Sequence, residues 1–496
     1  MGIDLRSMRY SLSGARTTRR GLLHAVVGLP ALLGQARRRP NVLFILADEW
    51  RAQSTRYNGD PNVHAPMLDN FAAQSVNFET AVSGCAVCCP YRASLMTGQY
   101  PLTNGVFIND VELKPKGVTM AEAFRGAGYR TGFIGKWHLY GSPDGKYGRR
   151  DAFIPPDKRL GFDYWKAAEC THEYNRSRYY EGNDPSPKVW PGYDAIAQTD
   201  DAAAFLERHS RAADPFLLVL SWGPPHFPLN TAPAQYQAMY RDREIQLRPN
   251  VPAERHQRAT TDLRGYYAHM AALDDCLGRL LKTLDRTGIA DDTVVVFTSD
   301  HGDMMQSQGL TTKLYPWDES IRVPFLVRYP RQLKPRRIRA PLNAPDIFPT
   351  LAHLCGVRVP DGVEGRDCLQ AAPPNDEATL LSLPVPITEA RRYGFAEYRG
   401  LRGTRYTYVR SIHGPWLLYD NEADPYQMHN LCGKPEAKAL QSRMDRALDA
   451  ELKRRRDDFL PATEYVKRAG VGHYGEVNVA AGRCKSPWGD WESTMT

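Results

Sequence analysis

Short, continuous apolar runs alternate along the chain with longer amphipathic stretches. Four of the runs end in groups able to do chemistry. NVLFILADEW (residues 41–50) closes on Asp48 and Glu49, TGFIGKWH (131–138) on Lys136 and His138, FLLVLSWGPPHFP (216–228) on His226, and TVVVFTSDHGD (293–303) on Asp300 and His301. Unbroken runs rich in β-branched residues predict strands buried on both faces, as in a parallel sheet. Their polar ends would then meet at one carboxyl edge, where open α/β sheets take ligands. Between the runs the apolar spacing turns helical. VTMAEAFRGAGY (118–129) sets Met120, Ala123, Phe124 and Ala127 at helical spacing with Gly128 as a stop, and HMAALDDCLGRLLKTLDRTG (269–288) aligns Leu273, Leu277, Leu280 and Leu284. IRVPFLVRYP (321–330) predicts a further strand and DIFPTLAHLCG (346–356) a further helix, so the pattern is that of a layered α/β domain.

The pattern changes after about residue 365. CLQAAPPNDEATLLSLPVPI (368–387) is proline-rich and predicts a crossing segment. FAEYRGLRGTRYTYVR (395–410) and GPWLLYDNEADPYQMHNL (414–431) carry aromatic and β-branched residues with turn signals between them, which predicts an antiparallel sheet. A helix from about Pro435 to Arg456, with Leu440, Met444, Leu448 and Leu452 on one face, completes a smaller α+β domain, and the tail from Gly470 has no period. At the other end, TTRRGLLHAVVGLPALLGQA (17–36) joins an arginine pair, an apolar run and a small-residue end, the layout of an export signal of twin-arginine type. Gly28, Pro30 and Gly34 interrupt it too often for a membrane span, and no later segment predicts one. The expected location is therefore periplasmic or extracellular.

Composition narrows the chemistry. With 42% apolar and 24% charged residues the 496-residue chain is globular rather than disordered. Its formal charge of +8 is scattered, without the basic stripe and interleaved aromatics of a nucleic-acid binder, and suits an anionic small substrate or glycan. Nine cysteines without a paired CxxC pattern support neither a disulfide scaffold nor a structural zinc site. In CCPYRASLMTG (88–98), adjacent cysteines rarely bridge with relaxed geometry, so one thiol is expected to have a chemical use.

Taken together, the strand ends and their neighbours offer the carboxylates Asp48, Glu49 and Asp300, the imidazoles His138, His226 and His301, and the cations Arg92, Lys136 and Lys313. Oxygen ligands with an imidazole suit a hard or borderline divalent ion, and lysines with an arginine suit an anionic group in transfer.

CCPYRASLMTGQY (88–100) resembles the signature of the type I, formylglycine-dependent sulfatases of the alkaline phosphatase-like superfamily, Cys-x-Pro-x-Arg followed by Leu-Thr-Gly, with Tyr91 where serine is commonest. The resemblance implies that a formylglycine-generating enzyme oxidises Cys88 to formylglycine. It also implies that Asp48, Glu49, Asp300, His301 and the modified Cys88 hold one divalent cation, usually calcium, with manganese and magnesium as alternatives. Glu49 departs from the usual second aspartate. GKWH matches the family segment bearing Lys136 and His138, and His226 and Lys313 match its remaining sulfate-handling residues. The implied fold is an alkaline phosphatase-like sandwich: a large, mixed but mostly parallel central sheet flanked by helices, plus the smaller C-terminal α+β domain.

The implied chemistry is sulfuric ester hydrolysis. One hydroxyl of an aldehyde hydrate attacks sulfur, His226 with Lys313 nearby protonates the leaving group, and His138 deprotonates the second hydroxyl so that sulfate is expelled, while Arg92 and Lys136 balance charge. The expected division is an export signal at 1–36, a catalytic domain at 38–367, an α+β subdomain at 368–465 and a tail at 466–496. The loop ECTHEYNRSRYYEGNDPSPKVWPGYD (169–194), with aromatics and both charge signs, is the expected rim for a sulfated carbohydrate or aryl sulfate. Two other functions fit the same residues less well: phosphate or phosphonate ester hydrolysis on the same fold, and non-catalytic glycan binding, which predicts loss of site residues that are all present here.

Overall fold

The computed structural model describes residues 39–141, 150–369, 378–387, 390–391 and 393–472. The expected export signal and most of the expected tail lie outside these residues. From Pro40 onward the chain forms one unit.

Its main sheet has ten strands in the order β11-β2-β10-β9-β1-β8-β4-β5-β6-β7. These are β1 (Asn41–Asp48), β2 (Val76–Phe78), β4 (Arg130–Lys136), β5 (Tyr164–Ala168), β6 (Arg178–Glu181), β7 (Lys188–Val189), β8 (Phe216–Pro225), β9 (Thr293–Ser299), β10 (Phe325–Arg328) and β11 (Arg336–Ile338); the short β3 (Ala81–Val82) and β12 (Leu342–Asn343) pair apart from it. β9, β1, β8, β4 and β5 run parallel, and β10 and β6 lie antiparallel on either side of them. The continuous apolar runs have the physical cause expected of them. Val42, Phe44 and Leu46 of β1 enter one core layer while Leu43, Ile45 and Ala47 enter the other. A strand covered on both faces needs apolar side chains at every position.

Because the central strands are parallel, their chemistry-bearing ends lie along one edge. Ala47 pairs with Ser299, and both Leu46 and Gly135 pair with Ser221, so Asp48, Asp300 and Lys136 leave the sheet close together. Gly135 is fixed by this approach: its φ is +103°, and a Cβ there would sit 2.0 Å from the Ser221 carbonyl oxygen.

The helix expected at 269–288 runs from His256 to Arg286, because buried Ala259, Leu263, Tyr266 and Tyr267 extend its inward face; the two tyrosine hydroxyls make that face look polar in sequence. The helix at 118–129 spans only Met120–Gly126, ending before Gly128 at φ +89°. The run at 321–330 forms a strand only over Phe325–Arg328. The helix Asp194–His209 was hidden by its charged outer face, although Ala195, Ala202, Phe205 and Leu206 are buried.

The C-terminal sheet has four antiparallel strands, β13 (Ala378–Leu383), β14 (Tyr398–Gly403), β15 (Tyr406–Ser411) and β16 (Gly414–Asp420). β13 corrects the reading of the proline-rich segment as a mere crossing: TLLSL is a strand between prolines, and those prolines bound it rather than interrupt it. Met444, Leu448 and Leu452 of the helix Lys438–Arg455 pack on this sheet against Leu401, Tyr408 and Leu418. No helix among the described residues is long and apolar enough to cross a membrane.

Candidate active site

Cys88 is the first residue of a buried helix, Cys88–Thr97, that ends at Gly98 in the left-handed region. This helix faces the strand edge. Cys88 Sγ lies 3.2 Å from His301 Nε2 and 3.8 Å from Lys136 Nζ. One donor atom from each of Asp48, Cys88, Asp300 and His301 falls within 4.8 Å of all the others, and all four residues are buried. Ligands on opposite sides of a cation bound at about 2.4 Å are separated by about that much. Asp48 Oδ1 is buried with no hydrogen-bond donor among the described residues, an acceptor that a cation would satisfy. The residues present therefore fit a divalent ion.

Arg92, one turn along the same helix, ties the carboxylates together. Its Nε donates to Asp300 at 3.1 Å, Nη2 to Asp48 at 3.1 Å, and Nη1 to the Lys136 carbonyl and Ser221 Oγ at 2.8 Å each. Lys136 Nζ also donates to Asp48. Against the cost of burial, Asp48 holds the Lys136 ammonium well above its ordinary range, and the burial of Asp48 is outweighed by Lys136, His226, Arg92 and His301 together, which hold its pKa well below the usual carboxylate range.

Glu49 stands outside the four-residue cluster. Its carboxylate lies 3.1 Å from Lys313 Nζ and 3.2 Å from His226 Nε2. Lys313 in turn reaches His226 Nε2 at 2.7 Å, while His226 Nδ1 donates to the Phe227 carbonyl at 3.1 Å. With the proton on Nδ1, Nε2 accepts from Lys313. Burial and then Lys313 push the His226 pKa well down, so the ring is neutral; burial opposes the Lys313 charge, but Glu49 raises its pKa above the ordinary range.

His138 forms a third group with two residues that the motifs did not point to. Its Nε2 lies 3.3 Å from Asp110, and Arg150 grips Asp110 with both Nε (2.8 Å) and Nη2 (2.7 Å). Nδ1 has no hydrogen-bond partner among the described residues. Burial lowers the His138 pKa to about 3, so it is a neutral imidazole whose Nδ1 lone pair can take a proton. Glu49 at φ +69° and His138 at φ +57° both sit in the left-handed region, which costs about 1 kcal/mol or more each outside glycine.

Every residue named from the sequence thus lies at one strand edge. The sequence missed Asp110, Arg150, Ser221 and His172, whose ring stacks on His226 at 4.5 Å. None of these four ends in a recognisable motif; only the pairing of Asp110 with a distant arginine marks it. Asn109 accepts from the Cys89 amide at 3.0 Å and so holds the helix start.

The structure thus joins an α/β sheet fold to a buried cluster of carboxylates, imidazoles and lysines at one strand edge. The sulfatase family model matches residues 40–357, and the C-terminal model of N-sulphoglucosamine sulphohydrolase matches 307–454. The chain belongs to the sulfatase family. It is 42% identical over 463 residues to the ulvan-active sulfatase of Formosa agariphila, covering 90% of this chain and 89% of the relative. It is 30% identical to the endo-4-O-sulfatase of Bacteroides thetaiotaomicron, covering 81% and 90%. The crystal structure of a yidJ sulfatase from Bacteroides fragilis superposes with a TM-score of 0.78 at 28% identity, covering 88% of this chain and 99% of that one.

Proposed function

We propose that this sulfatase releases inorganic sulfate from a sulfated carbohydrate, using a formylglycine made from Cys88 and one divalent cation, calcium first. The observation that carries the reading is the placement of Cys88 at a helix start, facing Asp48, Asp300 and His301 with Lys136 beside it. Asp48, Asp300, His301 and residue 88 would hold the ion; Glu49 would join them only by releasing Lys313. Asp48, Glu49 and Asp300 balance Arg92, Lys136 and Lys313 in formal charge, so a bound dication makes the site positive and suited to an anionic ester. When bound, the cation withdraws charge from the sulfate oxygens and lowers the proton affinity of the attacking hydroxyl. The formylglycine hydrate supplies one hydroxyl to attack sulfur and a second to expel sulfate.

The chain's own residues do the rest. Arg92 has its donors engaged on Asp48, Asp300, Lys136 and Ser221, so it positions the carboxylates. The Lys313 ammonium carries the proton for the leaving oxygen, with the neutral His226 ring holding and relaying it. His138 takes the proton of the second hydroxyl at Nδ1, its ring fixed by Asp110 and Arg150. The same reading takes residues 1–36 as an export signal, 38–367 as the catalytic domain, 368–465 as the subdomain and 466–496 as a tail, with a formylglycine-generating enzyme as maturation partner and a periplasmic or extracellular location.

The test is the mass of the peptide spanning Cys88 after expression with a formylglycine-generating enzyme. An aldehyde or hydrate mass, together with faster release from nitrophenyl sulfate than from the matching phosphate and phosphonate esters, is expected. An unmodified thiol beside a converted control substrate removes the nucleophile and overturns the mechanism; a preference for the phosphonate overturns the substrate class.

A further inference from the structure

A cleft of about 590 Å³ lies beside the strand-end cluster, within the roughly 300–1,000 Å³ of small-molecule sites. Phe227 is the shared wall. Its ring sits 3.9 Å from that of His226, and Lys313 Nζ lies 5.5 Å over it. Thr311 and Thr312, the two residues before Lys313, line the cleft as well. The groups that would protonate a leaving oxygen therefore stand at its inner end.

The outer wall comes from the region after the helix Ala234–Tyr240 and from the helix His256–Arg286, which bring Arg241, Arg258 and Arg264 to the cleft. Two carboxylates, Asp262 and Asp303, line the same cleft. Arg258 pairs with Asp262 at 2.9 Å, and the buried Asp303 accepts the amides of Met305 at 2.7 Å and Thr312 at 3.2 Å. Arg264 donates to the Arg243 carbonyl, and neither it nor Arg241 has a carboxylate partner among the described residues. Phe227, Pro228 and Leu229 supply an apolar strip between the catalytic end and these two cations. That strip is held close to the helix at Gly265, where a Cβ would lie 2.2 Å from the Leu229 carbonyl oxygen.

We propose that this cleft binds the leaving-group side of the substrate as an acidic sugar. Its ring would lie on Phe227 and its carboxylate or second sulfate would be gripped by Arg241 and Arg264. The inference rests on the sulfatase reading above, which puts the ester sulfur at residue 88 and the leaving oxygen at Lys313 and His226, and it extends that reading to the class of leaving group.

The test compares the mature full-length enzyme with Arg241→Gln/Arg264→Gln on two substrates: a sulfated, uronic-acid-containing oligosaccharide prepared from ulvan, and nitrophenyl sulfate, whose leaving group carries no second anion. KM for the oligosaccharide is expected to rise about tenfold, the size of two partly exposed charge contacts, with kcat nearly retained. The change on nitrophenyl sulfate should be several times smaller, and Arg241→Lys/Arg264→Lys should recover part of the loss. Carboxyl reduction of the oligosaccharide that reproduces the loss on wild type identifies a carboxylate as the anion; reduction without effect identifies a second sulfate. An unchanged oligosaccharide KM, or equal losses on both substrates, overturns the proposal. If wild type releases sulfate from neither ester, the functional reading fails by itself and calorimetric titration of the same oligosaccharide decides the cleft. Binding about tenfold weaker in the double variant supports it, and equal affinity or no binding to wild type refutes it.

Discussion

Replacing Arg92 by Leu tests how the site holds its carboxylates together. The guanidinium is 1% exposed and joins Asp48, Asp300, the Lys136 carbonyl and Ser221. Breaking a buried ion pair by removing one partner costs about 3–5 kcal/mol, because the charge left behind is uncompensated. Asp48 keeps Lys136, so the loss falls chiefly on Asp300, which retains the amides of Glu49 at 3.1 Å and His301 at 3.0 Å and the His301 ring at 3.6 Å. The lower end of the range, about 3 kcal/mol, is therefore expected. With an unfolding entropy of about 2 cal/mol/K per residue over the 496-residue chain, that lowers Tm by about 3 °C. Under the proposed function, a bound calcium ion would supply the missing positive charge to the same two carboxylates. The calcium-induced rise in Tm should accordingly be larger in Arg92→Leu than in wild type by about 2 °C, and Arg92→Lys should fall between them. Scanning fluorimetry at matched protein concentration, in chelator and in excess calcium, reads both effects. An apo Tm within 1 °C of wild type, or identical calcium shifts in the two proteins, would refute the assignment of Arg92 as the counter-charge of the ion site.

Lys313→Met should lower kcat/KM by about a hundredfold on a sugar sulfate and much less on nitrophenyl sulfate, whose leaving group needs no acid; a uniform loss in a leaving-group series would contradict a proton-delivery role. Asp110→Asn should cost about a hundredfold in kcat and Arg150→Gln less, and the double variant should lose little more than Asp110→Asn alone; simple additivity would mean that the pair does not act on His138 as a unit. The carboxyl of Glu169, buried and accepting the amides of Tyr140 at 3.1 Å and Gly141 at 2.6 Å, is pushed up to about 8 by burial, against the pull of those amides. The folded protein then keeps a proton that the unfolded chain releases above about 4.5, so stability present below that pH falls as pH rises toward 8. Glu169→Gln should flatten the decline of Tm between pH 5 and 8, and a decline parallel to wild type would show that Glu169 is not its source.

The central sheet was legible because complete burial removes choice: β1, β8 and β9 are covered on both faces, so their positions are almost uniformly apolar and their ends stand out as sudden clusters of charge. Once the strands are parallel, convergence of Asp48, Lys136, His226 and Asp300 needs no further information. What stayed hidden depends on partners far away in sequence. Asp110 follows only the three-residue apolar stretch Val106-Phe107-Ile108, and its significance comes from Arg150, 40 residues on, and from His138, 28 residues on. His172 lies in a polar loop that looks like any solvent-facing insertion, and only its ring-to-ring distance to His226 distinguishes it. The strand Ala378–Leu383 was masked by flanking prolines, which in a short edge strand act as boundaries.

Glu49 shows where residue type alone stops deciding. A carboxylate directly after a metal-binding aspartate has two uses, cation ligand or counter-ion of the proton donor, and both need the same charge at the same strand end. Reach separates them. The left-handed turn at Glu49 and the extra methylene of glutamate carry its oxygens to Lys313 and His226, whereas Asp48 Oδ1 remains beside Asp300 and His301. In this geometry Glu49 raises the Lys313 pKa from beside His226, although burial pushes its own carboxyl well above the ordinary range, and under the proposed function residue 88 would complete the ion site. Under the proposed function the Glu49 carboxyl would therefore serve the leaving-group end rather than the cation, and that end adjoins the arginine-lined cleft.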